Sequence, residues 1–245
     1  MGAGRVAELR GNDHHEYGAV ARDALDDLAA IALTRGLYPK PYLYTDPNED
    51  VVAVQETADG VLVVVADGHN GYESSDVALT AVLEHAVDST WTPERFVDMF
   101  AAVSERVRKT MCAPASPHPE SRTTLIVAHV GATAVVFGAL GDSALYLVGR
   151  TGYARLDRPR MRFVGYPMSR ADVEWAGTFA AVPRPAATDV LAATDGFTDY
   201  ADTGAALQAA YEAPTASDAA GACVQEAFAG GAGDNVGVAV VRAPR

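Results

Sequence analysis

The chain has 245 residues, 49% of them apolar and 21% charged, the balance of a globular protein that buries a core in one large α/β-type domain. Its formal charge of -13 excludes nucleic acid and anionic membrane as bulk partners, since either calls for a basic face. The only cysteines, Cys112 and Cys223, fall in helix-like segments, so a disulfide framework is not expected and a reducing, cytoplasmic setting is. The opening residues carry no apolar leader, and no run reaches membrane-spanning length.

In chain order, Asp23 to Arg35 places Leu25, Leu28, Ala29 and Ala32 at helical spacing, with Gly36 as the stop, which predicts a helix. The Pro- and Tyr-rich stretch after it reads as loop or edge. Residues 1–46 are thus expected to be an N-terminal extension ahead of a main domain at 47–245. A β-hairpin follows: a run from Asp50, turn chemistry at Thr57 to Gly60, and a second run from Val61 to Ala66. Two helices are predicted next, at about Ser74–Val87 and after Thr92, where an N-cap precedes Pro93 at N1. Thr124–Val130, Thr133–Leu140 and Ala144–Val148 read as strands, and 153–188 as a loop-like, Arg- and Pro-rich insertion. Asp189–Thr194 reads as a strand, 204–229 as two Ala-rich helices with Thr215 as a cap, and Val236–Val241 as the last strand. Strand runs interleaved with paired helices indicate α+β, with antiparallel sheets covered by helices.

The aspartates are the chemically telling residues. With the hairpin turn centred between Ala58 and Asp59, antiparallel pairing sets Asp50 opposite Asp67 at one sheet edge. Like charges directly opposed are destabilising unless a cation lies between them. Asp195 ends one predicted strand and Asp234 begins another, so these two share an edge if those strands are neighbours. Asp142 stands at a further strand end. Any one of these acids beside a glycine has an ordinary turn as its default explanation. Several at strand ends, without interleaved basic residues or His/Cys ligand spacing, call for hard divalent ions, Mg²⁺ or Mn²⁺. Two such ions would activate a water and neutralise a phosphate.

Val65–Gly71 (VADGHNG), Gly141–Ser143 (GDS), Ala193–Asp199 (ATDGFTD) and Gly233–Val236 (GDNV), preceded by Pro47–Asp50 (PNED), resemble in order the motifs of metal-dependent protein phosphatases of the 2C type. The resemblance covers roughly Asn48 to Val241. It implies a four-layer α-β-β-α sandwich with a binuclear Mn²⁺ or Mg²⁺ centre held by Asp50, Asp67, the Gly68 carbonyl, Asp195 and Asp234, with Asp67 bridging. It further implies a third, weaker ion at Asp142 and Asp199, and His69 as the general acid that protonates the leaving alkoxide. On the substrate side it points to Asn235 and to Thr45, which stands where the family has a phosphate-gripping arginine; Lys40, Arg122 or an arginine of 150–170 are the candidates to replace that cation. Residues 150–188 correspond to a shortened form of the family's flap.

The function expected is hydrolysis of a phosphomonoester by a metal-activated water, with a phosphoserine or phosphothreonine protein as substrate. Thr45 and the short flap leave open a small phosphorylated metabolite. A weakly active regulatory or binding member is the third alternative, opposed by retention of the four core aspartates and His69.

Overall fold

The computed structural model describes residues 4–40, 48–85 and 90–244. Thr45 lies outside them. Two antiparallel sheets pack face to face. In the first, β1 (Val6–Arg10), β4 (Asp50–Glu56), β5 (Gly60–His69), β7 (Leu125–Gly131), β8 (Ala134–Leu140) and β11 (Thr178–Pro183) lie side by side in that order, with the short β6 (Arg122–Thr123) on the end of β5. The second runs β10 (Gly152–Arg155), β9 (Ala144–Gly149), β12 (Asp189–Ala193), β13 (Val236–Val241), β3 (Ala29–Thr34), β2 (Ala21–Leu25).

The layers follow from which faces are apolar. Val52, Val54, Val63, Val65 and Ile126 of the first sheet meet Ile31, Leu33, Leu145, Val190 and Val241 of the second in the central core. Each such buried side chain contributes about 1.5–3 kcal/mol by leaving water. The alternate residues of the first sheet, Val51, Leu62, Val64 and Val127, pack instead on α1 (Glu73–His85), α2 (Pro93–Met111) and α3 (Arg170–Ala176). Those of the second, including Ala30, Ala32, Leu191 and Val238, pack on α4 (Asp195–Tyr200), α5 (Thr203–Glu212) and α6 (Ala216–Ala229). This is the α-β-β-α sandwich. Thr92 caps α2 by accepting from the Arg95 backbone N–H at 3.3 Å, and Thr215 caps α6 by accepting from Asp218 at 3.0 Å.

Two expectations are corrected. Residues 23–35 are not helical: they contribute β2 and β3, turning at Asp26 (φ 51°) so that Leu25 pairs with Ala29. The residues read as an N-terminal extension therefore supply strands to both sheets, β1 along β4 and β3 along β13. Likewise, 153–188 is not merely loop. It completes β10 and contains α3 and β11, with Ser169 and Asp172 forming a reciprocal capping box at the start of α3. Among the described residues, no helix is long and apolar enough to cross a membrane.

Candidate metal centre

The site lies where strand ends from both sheets meet. The β4–β5 hairpin sets Asp50 directly opposite Asp67, in the register expected from its turn. In the second sheet, β12 and β13 are antiparallel neighbours, so Asp195, just past β12, and Asp234, just before β13, fall at one end. Carboxylate oxygens of Asp67, Asp142 and Asp195 all lie within 4.8 Å of one another.

Close backbone packing makes this convergence possible. A Cβ at Gly68 would come within 2.7 Å of the Glu49 carbonyl, so only glycine fits between β5 and the start of β4. Gly196 is pressed against the Asn235 carbonyl, which brings the first turn of α4 onto the Asp234 loop. Hydroxyls then fix the acids. Thr124 Oγ1 accepts from the Asp67 backbone N–H at 2.9 Å and meets Ser143 Oγ at 2.7 Å, while Thr123 Oγ1 donates to the Asp67 carbonyl at 2.9 Å. Arg155 pairs with buried Asp157 at 2.8 Å and donates to the Asp142 carbonyl at 3.1 Å.

The electrostatics are those of crowded, desolvated anions. Burial, opposed by Lys40 and reinforced by Asp234, pushes the Asp50 carboxyl up to about 8. Burial, then Asp195 and Asp50, holds Asp67 well above the carboxylate range. Asp195 is raised to about 6 by burial, Asp234 and Asp142. Asp199 is raised too, by burial and then by Asp142 and Asp234. Each of these four carboxyls is thus raised in part by at least one other acid of the cluster. Both Asp50 carboxylate oxygens and Asp142 Oδ1 are buried without a hydrogen-bond partner. Buried anionic oxygens left without a donor are costly. An all-oxygen set of this kind fits a hard divalent cation, and the donors suit Mg²⁺ or Mn²⁺.

Lys40, one of the candidate cations of the sequence, reaches the cluster. Lys40 Nζ lies 2.7 Å from Asp234 Oδ1 and 3.1 Å from Glu49 Oε2. Burial opposes its charge, but Asp234, Asp67, Glu49 and Asp50 outweigh burial and hold it above the ordinary lysine value. Glu49, not singled out in the sequence, is the organising residue on this side. Its Oε1 accepts from the Gly71 N–H at 2.5 Å, and its carbonyl accepts from Gly68 N–H at 3.1 Å and Ser75 Oγ at 2.5 Å. The signal available was its place between Asn48 and Asp50. Asn235, expected on the substrate side, is buried: its Oδ1 accepts from the Glu49 N–H at 2.9 Å and its Nδ2 donates to the Arg35 carbonyl at 3.2 Å.

His69 sits at the mouth, its side chain one-third exposed, with Nδ1 3.8 Å from Asp67 Oδ1. Its ring packs against Phe163 at 4.5 Å, and its backbone pairs with Arg122 across β5 and β6.

The geometry has counterparts. The family model described as Protein phosphatase 2C matches residues 44–223. Among solved structures, the catalytic domain of the serine threonine protein phosphatase PstP, in complex with two manganese ions, is 19% identical, with a TM-score of 0.69 over 93% of this chain and 100% of that one. PppA of Pseudomonas aeruginosa, a regulatory component of T6SS, is 19% identical, with a TM-score of 0.68 over 91% of this chain and 100% of that one. A bacterial serine phosphatase is 15% identical, with a TM-score of 0.72 over 88% of this chain and 97% of that one. No curated protein matches the sequence. With the family model spanning most of the chain and the sandwich shared throughout, this chain belongs to the protein phosphatase 2C family of phosphoric monoester hydrolases.

Proposed function

We propose that the chain hydrolyses phosphomonoesters with Mn²⁺ or Mg²⁺ held by Asp50, Asp67, Asp195, Asp234 and the Gly68 carbonyl, with Asp142 and Asp199 offering a further, weaker position. The observation that carries this reading is the set of buried, unpartnered carboxylate oxygens on Asp50 and Asp142 around the Asp67–Asp195 contact. Two divalent ions there would supply the positive charge that balances the phosphate and makes water nucleophilic near neutral pH.

The chain's own residues do the rest. Thr123 and Thr124 hold the Asp67 backbone on both its N–H and its carbonyl, which sets where its carboxylate enters the site. Asn235 and Glu49 act as positioning residues, tying the Asp234 loop to the start of β4. His69, at the mouth and beside Asp67, is placed to give a proton to the departing alkoxide. Lys40, beside Asp234 and Glu49, is the cation we assign to the phosphate oxygens, with Arg122, paired to His69 across β5 and β6, as the second candidate.

The substrate we infer is a phosphoserine or phosphothreonine protein. The trimmed 150–188 segment favours a second reading, a small phosphorylated metabolite. Phosphate release from an aryl phosphate is the first test. Release that depends on added Mn²⁺ or Mg²⁺ and stops with chelator is expected. No metal-dependent release would leave the chain a binding member of its family. Turnover of a phosphopeptide panel against a phosphometabolite panel then separates the two substrate classes.

A further inference from the structure

Charge is unevenly spread along this acidic chain. Residues 150–170 hold six arginines, Arg150, Arg155, Arg158, Arg160, Arg162 and Arg170, against a single acid, Asp157, in a protein of net charge -13. Two of the six are spent internally: Arg155 on Asp157 at 2.8 Å, and Arg170 on Asp98 at 2.6 Å and Glu174 at 3.0 Å. Arg158, Arg160 and Arg162 are exposed and, among the described residues, have no carboxylate within ion-pair distance.

This segment is strapped across the mouth of the site. The Arg160 N–H donates to the Gly141 carbonyl at 2.9 Å, next to Asp142. Val164 exchanges backbone hydrogen bonds with Thr123 at 2.8 and 3.2 Å, and Phe163 lies against His69. The Gly165 N–H donates to Ser104 Oγ at 3.0 Å, fixing the far end on α2. The strap therefore runs from the Asp142 edge to the His69 edge, held mainly by backbone bonds, with the guanidiniums of Arg158, Arg160 and Arg162 free of any carboxylate among the described residues.

Apolar surface accompanies the charge. Trp175 is 69% exposed and Met161 72%, two large apolar side chains bared beside the exposed arginines. The Arg160 guanidinium lies 5.2 Å over the Trp175 ring and donates to the Trp175 carbonyl at 2.7 Å, so the two present one amphipathic edge. Beside them, Arg162, Tyr166, Met168 and Trp175 line a pocket of about 340 Å³. The one acid at its rim, Asp172, already accepts from the Ser169 N–H at 2.9 Å in the capping box of α3.

We propose that this strap is the docking face for an acidic phosphopeptide: the phosphorylated residue enters at the aspartate edge, Asp or Glu side chains beside it pair with Arg160 and Arg162, and an apolar side chain fills the pocket against Trp175. Complementary charge is the warrant, because elsewhere the chain repels such a peptide. Arginine suits the task through bidentate carboxylate pairing. The inference rests on the phosphatase reading of the site, and it favours the protein substrate over a metabolite.

The test separates docking from turnover. Fluorescence anisotropy of labelled, unphosphorylated peptides, one Glu-rich and one Lys-rich and of equal length, is measured on the full chain, where catalysis plays no part. The Glu-rich peptide should bind about tenfold more tightly at low salt, within the roughly thirtyfold that two exposed pairs can give at most, and the preference should shrink as salt is raised. Combined Arg160→Glu and Arg162→Glu should reverse the preference, and Trp175→Ala should weaken the Glu-rich peptide while leaving the charge preference. On phosphopeptides, the double variant should raise KM for acidic flanks far more than it lowers kcat. Equal binding of the two peptides by the unaltered chain, a preference that survives the double variant, or tighter binding of a single-stranded oligonucleotide would overturn the proposal. Aryl phosphate turnover, recorded in parallel, shows independently whether the phosphatase reading stands.

Discussion

The aspartate edge and the arginine strap lie side by side and are built on opposite principles. At the edge, charge is buried by register: β-pairing forces Asp50 against Asp67, and tertiary packing adds Asp195, Asp142 and Asp234, so the fold carries an electrostatic cost that a cation relieves. On the strap, backbone hydrogen bonds fix the chain and the charged side chains stay in water, at little cost to the fold. The difference is one of task. A site for a hard cation has to be rigid and desolvated, whereas a face that recognises variable anionic partners does better solvated and shallow. Strain at a functional edge, compensated by packing elsewhere, is the expected pattern.

The contrast is broken most strongly at Asp67. Asp67→Asn should cut metal-dependent phosphate release by about 10³-fold or more while the protein stays folded, because bridging charge is lost where it matters most. Activity with an aryl phosphate and a melting curve on the same sample check both halves. Next comes Thr124→Val, which removes the hydroxyl that accepts from the Asp67 N–H and meets Ser143. Loss of such a supporting hydrogen bond should weaken Mn²⁺ affinity by about 10–100-fold, read from the metal concentration for half-maximal activity.

Lys40→Met sharpens the comparison from the other side. Without metal, Lys40 is the counter-charge to Glu49 and Asp234. Removing it should cost the metal-free protein about 2 kcal/mol, seen as a lower melting temperature that saturating Mn²⁺ largely restores. The smallest effect concerns pH. Asp50 and Asp195 hold their protons up to about 8 and about 6, above the ordinary carboxylate value of 3.8. Between those limits the folded chain binds more protons than the unfolded one. These groups therefore favour the folded state at the acid end and lose that contribution as pH rises through 6 and 8. Melting curves of metal-free protein across this range should show the decline, Asp50→Asn should flatten it, and Mn²⁺ should abolish it.

How much of this was legible depended on whether local chemistry or tertiary packing set the outcome. The Asp50–Asp67 register could be read because Thr57 to Gly60 fixes the hairpin turn and the period of two does the rest. The shared edge of Asp195 and Asp234 could be read, given neighbouring strands, from one apolar run followed by Asp195 and another preceded by Asp234. The 23–35 stretch was misread because Leu25, Leu28, Ala29 and Ala32 fit a helical period. In the sandwich, every residue of β3 from Ala29 to Thr34 is buried, so its alternation vanishes and length and spacing mislead. The edge strands β10 and β11 escaped notice for the opposite reason: β10 is exposed throughout, β11 is nowhere fully buried, and neither shows an apolar stripe. Lys40 meets Glu49 and Asp234 through loop packing, for which the sequence carries no periodic signal. Thr45 lies outside the described residues; of the cations proposed in its stead, Lys40 is the one that pairs with the acids of the cluster.

The central claim is that the aspartate edge is a cation site completed by metal. Calorimetric titration of the metal-free protein with Mn²⁺ tests it most directly, with the Asp67→Asn variant titrated alongside. The account predicts saturable binding by the unaltered chain, in step with the onset of phosphate release, and loss of that binding in the variant. Undiminished Mn²⁺ binding and turnover in Asp67→Asn, or phosphate release by the unaltered chain without any bound metal, would contradict it.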